Sequence, residues 1–271
     1  MRRNTAISCE NIEIQTTVDF NLSKDGTELN DFQKECCHMS NFQQLADHIG
    51  IILPAMLANW LEDGSTRYDN WAETWRERML NAPPPLISAY DFEWIGAENA
   101  RDIQTDWLNP KYQQGIRFLP FACTGAGDCY ALIPLAHDTL AVALIAHDSG
   151  SVTWYARSFA EFVYMMLVEA CADHEQLLED GFSEAEANQC ILADMSNVSK
   201  VLSYELADSL KTLRTCLTAV NYSDREEQQA SVLDDDIDLA LALESLLTEL
   251  KEKFSTSDFP ELTCKPRWEC E

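Results

Sequence analysis

Lysine and arginine are scarce in this chain. Nineteen of them stand against 46 aspartates and glutamates in 271 residues, a formal charge of −27 at pH 7. A surface this negative repels phosphates, which argues against a nucleic-acid partner, and it repels anionic membrane surfaces. It favours a basic partner and fast, steered association. Long apolar runs are missing as well: nothing approaches the roughly 20 residues that a membrane helix needs. Met1-Arg2-Arg3-Asn4 is not followed by the apolar core of a signal peptide. The ten cysteines include no Cys-x-x-Cys pair. These absences give the expectation of a cytoplasmic protein whose cysteines are free thiols, buried as small hydrophobes. In an oxidising compartment Cys123 and Cys129, which flank a short turn, are the pair placed to bridge.

What is present is enough apolar sequence, 46%, for a real core. The densest part runs from Phe118 to Ala170. Phe118-Leu119-Pro120-Phe121 and the run Cys129–Leu135 lie on either side of a small-residue turn, Thr124-Gly125-Ala126-Gly127-Asp128. Two apolar runs across a Gly-containing turn are a hairpin signal. Ala141–Ala146, the turn His147-Asp148-Ser149-Gly150-Ser151, and Val152–Tyr155 repeat the pattern. Ser158, with Glu161 three residues on, is a capping-box arrangement. Phe159, Phe162, Val163, Met166 and Leu167 follow at helical spacing. Strands are therefore expected near 86–95, 117–123, 128–135, 140–146 and 151–156, with a helix closing over them. The fold class expected is α+β, a mostly antiparallel sheet with helices packed on one face.

Before this region the chain divides into an unassigned arm, residues 1–38, in which Thr16–Phe20 alternates like an edge strand, and a clearer helical part. Phe42, Leu45, Ile49, Ile52, Leu53, Met56, Leu57 and Trp60 recur at helical spacing. Gly50 and Pro54 split them into two helices, and Gly64 stops the second. Residues 65–82, rich in Trp, predict one more short helix before Pro83-Pro84-Pro85. Leu86–Ile95 alternates like a strand. After the 39–172 domain, residues 173–271 predict a helical extension. Ser183 and Glu186 form a capping box, and apolar stripes follow at Ala187–Leu202, Leu206–Val220 and Leu233–Leu250. Residues 171–271 hold 23 acids and 8 bases, so both parts of the chain are acidic.

Gly50–Trp60 (GIILPAMLANW), Phe118–Leu135, His147–Trp154 and Ser158-Phe159-Ala160-Glu161-Phe162, taken together, resemble the SUKH superfamily of Smi/Knr-like proteins over residues 40–172. The insert between Gly64 and Trp94 and the C-terminal third lie outside the resemblance. It implies a SUKH-type α+β fold and, for the bacterial members, an immunity protein. Such a protein neutralises a polymorphic toxin, often a nuclease, by binding it in the cytosol. A regulatory scaffold of the same family is the alternative.

Residues for catalysis are weakly marked. Cys123 or Cys129 with His137 or His147 would make a nucleophile–base pair, and His137-Asp138 and His147-Asp148 contain metal-ligand types. Core cysteines and solvated loop histidines account for both. Thr124–Gly127 precedes no helix and is not a phosphate loop. The expectation is no catalytic residue, no metal and no cofactor. The expected partner is a basic toxin protein. Its binding face is assigned to Asp128, Asp138 and Asp148 near the hairpins, with Asp91 and Glu93 on the preceding strand, and Tyr130 and Trp154 as anchors. A position in the core is at least as well supported for Trp154.

Overall fold

Short apolar runs joined by Gly-containing turns fold here as an antiparallel meander. The computed structural model describes residues 42–81, 84–135, 139–226, 244–245, 247–250 and 252–270. The expected edge strand at 16–20 and most of the Leu233–Leu250 stripe lie outside these. The sheet has the order β1–β2–β3–β4–β5: Glu93–Trp94, Leu119–Cys123, Cys129–Pro134, Leu140–Ile145 and Val152–Ala156. Every pairing is antiparallel. The fold is α+β.

Helix α1 (42–49) ends at Gly50, whose φ of 72° is a left-handed stop. Helices α2 (Ala55–Glu62), α3 (Trp71–Asn81) and α4 (Ala97–Asp106) follow. Helix α5 (Phe159–Ala172) lies across the sheet. Ser158 caps it, its hydroxyl accepting the Glu161 N–H at 3.2 Å. The Glu161 carboxylate accepts from the Arg157 N–H, one residue before the cap, so the reciprocal half of the capping box is shifted. Phe159, Phe162, Val163, Met166 and Leu167 are all buried, as the spacing predicts. So are Tyr164, Met165, Val168, Ala170 and Cys171. A helix buried nearly all round needs a second layer behind it. Helices α7 (Glu184–Val198) and α8 (Tyr204–Glu226) supply that layer, linked through the short α6 (Glu175–Glu179). The Ser183/Glu186 capping box is formed in full.

One apolar core therefore runs from Phe121 and Tyr130 on the sheet, through Phe162, to Met195 and Leu213. It crosses position 172 without interruption. The other face of the sheet, with Cys129, Ala131, Ile133, Ala143 and Ile145, is covered by Trp107, Leu108 and Phe118 and by Cys264 and Cys270 of the C-terminal segment. Between residues 254 and 270 that segment is extended or turned, apart from one 3-10 turn at Arg267–Glu269. It returns to the β4–β5 turn, where Cys264 N–H donates to Gly150 O at 2.8 Å and Arg267 N–H to His147 O at 2.8 Å.

The expected strand at 86–95 is corrected. Only Glu93 and Trp94 pair. Residues 84–91 form turns instead, with Leu86 at φ 63° and Asp91 at φ 47°. The cause is Asp194 of α7, fully buried beneath the loop. Its carboxylate accepts from Leu86 N–H at 2.9 Å, Ser88 N–H at 3.1 Å and Ser88 Oγ at 2.9 Å. Backbone donors that a strand would give to a neighbour are taken by a side chain.

Candidate functional site

The loop held by Asp194 forms one wall of a groove. Tyr90 stands out from it, 64% exposed. Asp91 and Glu93 follow, both exposed. The facing wall comes from the C-terminal end of α5 and from α6: Asp173, His174, Gln176, Leu177 and Asp180. Among the described residues, four carboxylates and no lysine or arginine line this space of about 220 Å³. It continues through Met79, Ile87, Phe92, Glu93 and Asp180 into a wider space of about 640 Å³, walled by Tyr68, Trp71 and Trp75. Half-buried aromatic rings beside acids that have no Lys or Arg partner among the described residues suit a cationic side chain, and Arg78 of the chain itself already lies 6.0 Å from the Trp71 ring centroid.

Local chemistry positions each part. Asp91 Oδ1 accepts from the Gly125 N–H at 2.6 Å, which ties the groove wall to the β2–β3 turn. Tyr68 accepts the Trp94 N–H at 3.1 Å, and burial pushes its hydroxyl pKa up to about 12. Arg76 stacks over Phe182, 4.3 Å from the ring centroid, and pairs with Glu186 at 2.9 Å. That cation is already engaged and leaves the acids of the groove unneutralised.

Of the residues assigned from sequence, Asp91 and Glu93 lie in this groove. Asp128 and Asp148 lie at the same end of the sheet, in the β2–β3 and β4–β5 turns. Asp128 is turned inward: its Oδ1 accepts from the His147 N–H at 3.0 Å and meets His147 Nδ1 at 2.7 Å. Asp148 is exposed, and its carbonyl accepts from Trp268 Nε1 at 3.1 Å. Asp138 lies outside the described residues. Its neighbours Leu135 and Thr139 close the β3–β4 turn at the opposite end of the sheet.

The two aromatic anchors are corrected. Tyr130 is 3% exposed, its ring 5.4–5.5 Å from those of Phe92, Tyr155 and Phe162, and burial raises the pKa of its hydroxyl. Trp154 is half-buried under the C-terminal segment, donating to Pro260 O at 2.9 Å and packing on Phe259. Tyr90 is an exposed aromatic beside these acids that the sequence did not mark. It stood in the alternating run Leu86–Ile95, where nothing marked it as projecting from a turn. Asp173 and Asp180 were missed because they lie in the part read as an extension.

A ring nitrogen of His147 and one carboxylate oxygen each from Asp128 and Asp148 lie within 4.8 Å of one another, close enough to share a cation. Its hydrogen bond with the Cys123 thiol, and then burial, raise the pKa of Cys129. Among the described helices, none is long and apolar enough to cross a membrane. No family profile, no curated relative and no solved structure matches the chain.

Proposed function

We propose that this protein is a cytoplasmic binding protein that masks a basic surface of a partner protein. The resemblance to SUKH immunity proteins directs the choice of partner: a toxin, nuclease-like in having a cationic cleft for phosphate. The observation that carries the reading is the groove. Asp91, Glu93, Asp173 and Asp180 line it together with exposed Tyr90, and no Lys or Arg does so among the described residues. A tyrosine supplies contact area at little rotamer cost, and the surrounding acids supply complementarity. The charge of −27 steers a basic partner toward the protein from a distance.

The mechanism is occlusion. Carboxylates occupy the positions that substrate phosphates would take in the partner's cleft, and the fixed loop at Leu86–Asp91 presents Tyr90 and Asp91 with little ordering cost. The α6 wall makes the C-terminal third part of the binding face and more than a buttress.

The test is a binding and protection assay with the product of the adjacent gene. The purified chain is expected to form a stable complex with it and to suppress its activity, with Tyr90→Ala weakening the complex at least about tenfold. No complex with that product, or a complex indifferent to Tyr90→Ala, contradicts the reading.

A further inference from the structure

The geometry points to Cys123 and Cys129 as a reversible dithiol–disulfide pair, a modification site at the tip of the β2–β3 hairpin. The two residues are directly opposite in the register, and their sulfurs lie 3.4 Å apart. The turn fixes this distance. Thr124 N–H donates to Asp128 O at 2.9 Å, and Gly127 takes φ 95° in the left-handed position of a three-residue hairpin loop. The next pair outward is then a non-hydrogen-bonded one, in which Cα atoms approach to about 4.5 Å. That separation falls within the range a disulfide spans, so rotation about the side chains brings the sulfurs to bonding distance while the strands stay in place.

The two thiols are unequal, which gives a direction to the chemistry. Cys123 is half-buried beside the exposed turn, whereas Cys129 is 1% exposed. A hydrogen bond from Cys129 favours the Cys123 thiolate, lowering its pKa. Cys123 is therefore the nucleophile toward a low-molecular-weight disulfide such as oxidised glutathione. Its thiolate attacks one sulfur, a mixed disulfide forms at Cys123, and one glutathione thiolate leaves. Cys129 then loses its proton and attacks the Cys123 sulfur. The Cys123–Cys129 bond forms and the second glutathione leaves as thiol. One disulfide is reduced and one is made. The closed ring would contain Gly125, whose N–H holds Asp91, but the proposal stands without the partner-binding reading.

The experiment exposes the native full-length chain to a glutathione redox buffer, then alkylates it and maps peptides. The expected result is one intramolecular bond, Cys123–Cys129, reversed by dithiothreitol, with an unchanged circular dichroism spectrum. Cys129→Ala should trap glutathione on Cys123, and Cys123→Ala should leave Cys129 free. The proposal is overturned if both thiols stay alkylatable while other cysteines oxidise. It is overturned equally if the bond maps elsewhere, if oxidation costs structure, or if Cys129→Ala carries no glutathione at Cys123.

Discussion

Asp194 and Ser88, 106 residues apart in the chain, are joined by two hydrogen bonds to one carboxylate oxygen, from the Ser88 N–H at 3.1 Å and its hydroxyl at 2.9 Å. This contact converts an alternating sequence into a turn, and it links α7 to the wall of the acidic groove. Asp194→Ala should leave three buried donors without an acceptor and cost about 3 kcal/mol in urea unfolding. Unaltered stability would show that the loop is held by something else.

Asp194 also sets a pH dependence. Desolvation outweighs its hydrogen bonds and pushes its pKa up to about 6, against 3.8 for an ordinary aspartate. The folded chain then holds this proton more tightly than the unfolded chain. Its contribution to stability is full below about pH 4 and is lost as pH rises through about 6, a change of about 3 kcal/mol. Asp194→Asn cannot titrate, so the stability of wild type minus that of the variant should fall from pH 4 to pH 7. A difference that rises over this range contradicts the sign.

Gly150 is the second point of long-range dependence. It has φ 67°, and a Cβ there would lie 1.9 Å from the Cys264 carbonyl oxygen, a backbone atom. Gly150→Ala combines left-handed strain with a clash that only movement of the C-terminal segment relieves. It should cost at least about 2 kcal/mol and open residues 260–270 to limited proteolysis. A variant as resistant as wild type would mean that this segment is not anchored at the turn.

Phe162 is fully buried between the sheet and the second helical layer, with Phe92, Phe121, Tyr130 and Tyr155 around its ring. Phe162→Ala should cost about 3–5 kcal/mol. A near-neutral change by thermal or urea unfolding would place this side of α5 outside the core.

Much of this was legible in the sequence where the determinants are local. The four strands from Leu119 to Ala156 sit between turns that their own residues specify, and Ser158 and Ser183 mark the starts of α5 and α7. Leu86–Ile95 was misread because its alternation is real, while its conformation is imposed by Asp194 from another part of the chain. The inward position of Tyr130 was hidden for a different reason. On β3, Tyr130 and Leu132 belong to one core and Cys129, Ala131 and Ile133 to another. A strand buried on both faces carries no polar side to give its orientation. Trp154 is covered by a segment more than 100 residues later. The groove, assembled from residues 90–93 and 173–180, has no signature in either stretch alone.

The central claim is that the groove, rather than the general negative charge, receives cationic groups. Titrating the isotopically labelled chain with a short arginine-rich peptide tests it by amide NMR shifts. The account predicts saturable shifts at Tyr90, Asp91, Glu93, Asp173 and Asp180, weakened by salt. They should be lost in Asp91→Lys/Glu93→Lys and absent with a glutamate-rich peptide. Shifts spread evenly over the acidic surface, or unchanged in the double variant, would contradict it.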